Sequence, residues 1–468
     1  MLSTRAGLLW ALDPVALADA DGIGPVIACR DDGSVRHVDD ALRSLRDGTF
    51  WMTNLPFAVM RRLGLLARDD LRDDAFLLTR PDGLAAEMGL RNAPVEQQAA
   101  EVAVQAGRCL HVAREWFGLP MPPPGHNLAL ALRQHLFDFP EQSVAPEIEY
   151  AFNSAAQDVT FVPPPGGSTG MTERRAVLRH HRQDYAIGML EAQVPAGDWR
   201  EVFPPVEPAQ VPRWVRDMNE SRPMLLRVSA HFEGDRAADL AALSGLSATP
   251  AGGPSRASRG WIAAPEYLVL CPYARIEVHG ALAADRYRLN PFAGMRSIGF
   301  DTEPSGAIAE AVLCGPVQLN GRRRMSYAVG LLCESMWVGL LKSGKRKDAT
   351  SMWLGALDRA ECIRTALQLF DLGLPIRVTG FSRGRIWVAV RDDDSPDSSE
   401  QVLATAAACC RLVPPVMPVA QPNTRRLSVA DEMASRSARE YPHDPTLAVG
   451  ALAVLGNPAL VGDWLRLQ

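Results

Sequence analysis

Lys342, Lys345 and Lys347 fall within six positions, and no other lysine occurs in the 468 residues; every other basic side chain is arginine. An ammonium on a flexible stem acts as a point charge, whereas a guanidinium fixes planar, bidentate geometry. A segment that must follow a phosphate backbone has reason to prefer the former. The same stretch also offers a phosphate-loop candidate, since Gly339, Gly344 and Lys345 match G-x-x-x-x-G-K. That motif wants a serine or threonine on magnesium where Arg346 stands, and open backbone amides where Leu340 and Leu341 stand. A P-loop NTPase is therefore an alternative reading, which requires a strand before Gly339 and a helix after the loop.

The charge is local. Between 322 and 347, Arg322, Arg323, Arg324, Lys342, Lys345, Arg346 and Lys347 face Glu334 alone, so a chain of net charge −5 carries +6 there and −11 elsewhere. This excludes a uniformly basic nucleic-acid binder and predicts a basic patch on an acidic body. Aromatic residues interleave with cations at Arg213, Trp214 and Arg216, and at Tyr327, Trp337, Trp353 and Trp387, where stacking on bases competes with burial in a core.

Other chemistry is poorly represented. The eight cysteines (29, 109, 271, 314, 333, 362, 409 and 410) contain no C-x-x-C pair, and the nine histidines no H-E-x-x-H. This predicts neither a zinc ribbon nor a disulfide framework, no metal and no cofactor, and suits a reducing cytoplasm. There is no G-x-S-x-G elbow, and His180 and His181 beside Asp184 read as a helix face. Apolar runs are broken well before the length of a membrane span, and the first residues lack a signal-peptide layout.

The elements that must position these residues are those of an α/β (α+β) protein. Residues 7–30 and 50–66 alternate apolar runs with turn signals. The segment 95–137 predicts two helices broken by PMPPPG, and 172–190 reads as helical up to VPAGDW. PMLLRVSAHF predicts a strand, and the stretch from Trp261 to Leu282 a strand–helix–strand unit. Residues 349–373 predict a helix stopped at Gly373, and 374–390 a hairpin turning near Ser382–Gly384.

From residue 146 onward the order of segments resembles the B-family DNA polymerases of the protein-primed type. HHRQDYAIGML followed by VPAGDW is similar to the D-x-x-S-x-Y-P motif and its downstream proline, glycine and tryptophan. RPMLLRVSAHF, GWIAAPEYLVL and NPFAGMR resemble, in order, the palm strands and the entry to the fingers. QLNGRRRMSYAVG falls where the fingers helix lies, and IRVTGFSRGRIWVAV resembles the strand pair that presents Y-x-D-T-D. Near the N-terminus, Asn54, Phe57 and Ala58 resemble the N-x-x-F-D exonuclease motif with alanine for the acid, and Asp13 could be its first acid.

The resemblance implies an RNase H-like, exonuclease-like domain over 1–145. It implies a palm with reduced fingers over 146–415, and a tail or truncated thumb over 416–468. It also implies lost chemistry. A palm holds two metal ions about 4 Å apart on aspartates. Counting back from Tyr185 puts His180 at the first aspartate and Gln183 at the motif serine, while Ser382, Arg383 and Gly384 replace D-T-D. The expected function is an inactive polymerase-like protein that binds DNA or RNA through 322–347, Arg383 and Arg385. The resemblance places it with other protein subunits in the replication, maintenance or defence of mobile elements. A metal-dependent nuclease and a scaffold docking an acidic partner remain as further alternatives.

Overall fold

The computed structural model describes residues 5–12, 26–38, 48–55, 57–73, 76–136, 144–156, 173–233, 237–246, 259–290, 327–341, 348–391 and 396–413. Asp13, Arg322, Arg323, Arg324, Lys342, Lys345, Arg346, Lys347 and the 416–468 tail lie outside them.

Apolar strands open the chain: β1 (Ala6–Ala11), β2 (Val26–Arg30), β3 (Val35–Val38) and β4 (Phe50–Thr53). After helix α1 (Phe57–Arg62) comes the two-residue β5 (Leu71–Arg72). These strands form one sheet in the order β3-β2-β1-β4-β5. The pairs β1–β2 and β2–β3 are antiparallel, while β1–β4 and β4–β5 are parallel. The short α2 (Pro81–Glu87) leads to α3 (Val95–Phe117), whose small buried positions lie against β1 and β2. Proline breaks the helical run as expected, and α4 (Leu128–Leu136) follows, then α5 (Pro146–Ala155).

The segment 172–190 is not one helix. Glu173–Arg179 is strand β6, and α6 (Arg182–Glu191) starts only after His181. The strand wins because residues Arg385–Arg391 offer seven residues of ladder to pair with. VPAGDW is likewise not a terminator but the start of β7 (Val194–Val202). Then come α7 (Val211–Ser221), β8 (Met224–Phe232), α8 (Ala237–Ser244), β9 (Trp261–Ala263), α9 (Ala264–Leu270) and the long β10 (Ala274–Arg288). These strands make an antiparallel sheet in the order β7-β10-β8-β9.

Two helices follow, α10 (Tyr327–Leu341) and α11 (Ala349–Asp371), then the hairpin β11 (Ile376–Ser382) and β12 (Arg385–Arg391), and finally α12 (Pro396–Cys409). The third sheet, β11-β12-β6, joins the hairpin to the earlier strand. α10 is buried on every face, packed on α3, α4, α6 and α11. One hydrophobic core therefore runs from Ala6 in the first strand through α3 and α4 to α10 and the start of α11. A second core fills the space between the hairpin sheet, β8, α9 and the rest of α11.

Two expectations are corrected by this arrangement. Gly339, Leu340 and Leu341 are the last residues of a buried helix, so helix rather than strand precedes the lysines and the phosphate-loop geometry fails. Trp337 and Trp353, weighed as stacking platforms, are each 1% exposed and belong to the core. No helix among the described residues is long and apolar enough to cross a membrane.

Candidate functional site

The end of β6 and the tip of the hairpin meet. The His180 amide donates to the Gly384 carbonyl at 2.9 Å, so these two segments, about 200 residues apart in the chain, share one surface. The hairpin closes with a two-residue turn, Arg383 (φ 53°) and Gly384 (φ 66°), both left-handed as the twist of the strands demands. One carboxylate holds this turn. Asp358 of α11 accepts the Arg383 amide through Oδ2 and the Gly384 amide through Oδ1, each at 2.8 Å. Its Oδ1 also accepts the Tyr185 hydroxyl at 2.5 Å. Burial pushes the Asp358 carboxyl up despite these three donors, and burial with Asp358 pushes the Tyr185 phenol well above its ordinary range.

His180, Gln183, Tyr185, Ser382 and Gly384, expected as degenerate palm positions without metal, make contacts within the protein. The His180 ring stacks on Tyr185 with centroids 4.8 Å apart. Its Nε2 lies 3.0 Å from the Thr365 hydroxyl, which itself donates to the Glu361 carbonyl. Nε2 must therefore carry the proton, and burial lowers the imidazole's pKa, keeping it neutral. Gly384, where the second aspartate of D-T-D would sit, lies beneath the Tyr185 ring. A Cβ there would come within 2.8 Å of ring carbons. Gln183 fits against Gly330 of α10, where a Cβ would meet the Gln183 side chain at 2.5 Å. Ser382 pairs with Arg385 across the turn.

Behind this surface lies a buried network of charge that no motif in the sequence marks. Glu87 of α2 receives Arg179 and Arg182, the latter through Nε at 3.2 Å and Nη2 at 3.0 Å. Glu334, the lone acid of α10, receives Arg182 and Arg385, the latter at 3.1 Å. Nη2 of Arg385 also donates to the Leu78 carbonyl and the Thr79 hydroxyl, at 2.9 and 3.1 Å. Burial, with repulsion from Arg179, lowers Arg182 to about 9 and Arg385 to about 10, with Glu87 opposing. The only sequence signal for these groups is a charged residue inside an apolar helix, Glu334 in YAVGLLCESMWVGLL. The cavity left between Arg179, Arg182, Tyr185, Trp337 and the turn measures about 10 Å³, room for no more than one water.

The structure thus brings together His180, Gln183, Tyr185, Ser382, Arg383, Gly384 and Arg385, and commits the last to partners within the protein. In the first sheet, Asn54 clamps the end of β1: its Oδ1 accepts the Ala11 amide at 2.7 Å and its Nδ2 donates to the Ala11 carbonyl at 3.0 Å. Ala58 lies on α1.

The molecule is a mixed α/β protein with three sheets among its described residues. No protein-family model matches the chain, and no curated protein matches it. Among solved structures it is similar, at 9% identity, to Phi29 DNA polymerase in complex with primer-template DNA and incoming nucleotides. That superposition covers 86% of this chain and 82% of the polymerase with a TM-score of 0.36. The post-translocation complex of the same polymerase gives 9% identity, coverage of 85% and 82%, and a TM-score of 0.38. Its complex with single-stranded DNA gives 9%, 85% and 81%, and 0.39.

Proposed function

We propose that this protein is a polymerase-like chain that binds DNA or RNA without transferring nucleotides. The observation that carries the reading is the junction of His180 with the 382–385 turn. Two segments about 200 residues apart, assigned to palm motifs from sequence, meet backbone to backbone. Where the resemblance requires two metal-holding acids, a neutral imidazole and a glycine stand. The Tyr185 ring fills the space that the second acid's side chain would need. The nearest carboxylate, Asp358, holds the turn amides. The strand order β3-β2-β1-β4-β5, three antiparallel strands followed by two parallel to the first, supports an RNase H-like reading of 1–145.

Binding is assigned to Arg322, Arg323, Arg324, Lys342, Lys345, Arg346 and Lys347 with Arg383 at the turn; Arg385 holds the hairpin against α10. The proposed setting is a nucleoprotein complex of a mobile element. The test is fluorescence anisotropy with a labelled duplex over a range of salt concentrations. Replacing Lys342, Lys345 and Lys347 by alanine is expected to flatten the log–log salt slope by up to about 2.7 units. Binding that is absent, or indifferent to both salt and these lysines, overturns the reading. Magnesium-dependent nucleotide addition would overturn its second half.

A further inference from the structure

Far in sequence from the basic window, an open cleft of about 470 Å³ lies between the start of α5 and the edge of the β8–β9 pair. That volume is within the range of small-ligand sites. Its walls are Pro146, Glu147 and Tyr150 of α5, Arg227 and Val228 of β8, and Gly260 and Trp261. Arg227 and Trp261 are cross-strand partners, so a cation and an indole stand side by side on one face of the sheet. Tyr150 faces them from the helix, 60% exposed.

Three polar side chains of the cleft have no partners among the described residues. The Arg227 guanidinium, the Glu147 carboxylate and the Tyr150 hydroxyl all lack them, and neither ring stacks on another aromatic side chain. The walls themselves are fixed. The Ser154 hydroxyl of α5 accepts the Gly260 and Trp261 amides at 3.1 and 3.3 Å. Next to them, the buried Arg259 donates to the Ala155 carbonyl at 3.0 Å and pairs with Glu266 at 2.7 Å. Two aromatic side chains and a cation thus border the cleft from fixed elements, Trp261 also packing against the first core and Tyr150 and Arg227 reaching solvent.

We infer that this cleft binds one nucleotide unit of a single-stranded nucleic acid. The base would stack against Tyr150 and Trp261, its phosphate would meet Arg227, and Glu147 would accept from an exocyclic amine. Aromatic faces take any base and a guanidinium takes the backbone, the combination that single-strand binders use. A duplex cannot present an unstacked base, so the cleft is selective for single strands. The inference rests on the proposed function only in the premise that the chain binds nucleic acid, and it invokes none of the same residues.

The experiment uses the full chain, a labelled single-stranded dodecamer and a duplex of the same length, followed by anisotropy. Tyr150→Ala is expected to weaken single-strand binding roughly tenfold, with Arg227→Ala close behind, and to leave duplex binding unchanged. Tyr150→Phe should bind like the parent. Photocrosslinking of a 5-iodouracil dodecamer should label peptides carrying Tyr150 or Trp261. The Tyr150 and Arg227 side chains are exposed and have no partners among the described residues, so these variants keep the fold. If Tyr150→Ala and Arg227→Ala bind the single strand as the parent does, or the crosslinks map elsewhere, the inference falls. Duplex binding that still depends on the three lysines would then leave the proposed function standing. Single-strand binding that depends on Tyr150, together with duplex binding that is absent or indifferent to the lysines, would uphold the cleft and overturn the binding role given to the lysines. Binding of neither probe would overturn both.

Discussion

Glu266 offers the sharpest perturbation in the molecule. It is fully buried, and its carboxylate receives Arg259 at 2.7 and 3.0 Å and Arg359 at 2.9 and 3.4 Å, as well as the Ala263 amide at 3.2 Å. Desolvation alone would raise its pKa, but the two guanidinium groups outweigh it and hold the carboxyl at about 2, against an ordinary 4.5. A difference of about 2.5 units corresponds to roughly 3 kcal/mol of stability. The folded-state value lies below the unfolded one. The stabilisation is therefore complete above about pH 4.5 and is lost as the pH falls towards 2. Glu266→Gln keeps the shape and removes the charge, leaving two buried cations without an anion, a change that costs about 3–5 kcal/mol at neutral pH. Urea unfolding followed by tryptophan fluorescence should show that gap near pH 6, and it should narrow by about 2 kcal/mol by pH 3, because only the parent carries the acid-sensitive term. A gap under about 1 kcal/mol at pH 6, or one that does not shrink on acidification, would refute the reasoning.

Two further changes probe the hairpin turn. Tyr185→Phe removes a donor from Asp358 and should cost about 1–3 kcal/mol, read as a lowered midpoint in thermal unfolding. Gly384→Ala combines a left-handed φ of 66° with a Cβ pressed into the Tyr185 ring. It should cost at least about 1 kcal/mol and displace the ring from His180, which the ring-proton shifts in an NMR spectrum would report.

Much of the fold was legible because local signals and tertiary demands agreed. Proline separates α3 from α4, and the apolar stripe of 349–373 became a helix capped by the Asp348 side chain on the Ser351 amide. The hairpin turned where glycine permits positive φ. The segment 172–190 failed because its first half, ERRAVLR, has no periodicity that distinguishes strand from helix. The deciding partner, β12, lies about 200 residues downstream. At the site, His180, Tyr185 and Gly384 could be placed by their order along the chain. Arg179, Arg182, Glu87 and Glu334 could not, because the pairing of buried charges depends on which helices touch, and α2 meets α10 only in three dimensions. The same blindness hid the cleft at Tyr150, whose walls come from three separate stretches.

The complete enclosure of α10 has a metric consequence. The basic residues 322–324 precede it and the lysine run follows it, so both are rooted at the ends of a rod that cannot tilt without unpacking the core. At 1.5 Å per residue, the roots at Tyr327 and Leu341 stand about 21 Å apart. That span equals roughly six nucleotide steps along one strand of a duplex. On the proposed reading of these residues as a binding surface, the buried rod therefore sets the separation of the two points from which they are tethered to the core.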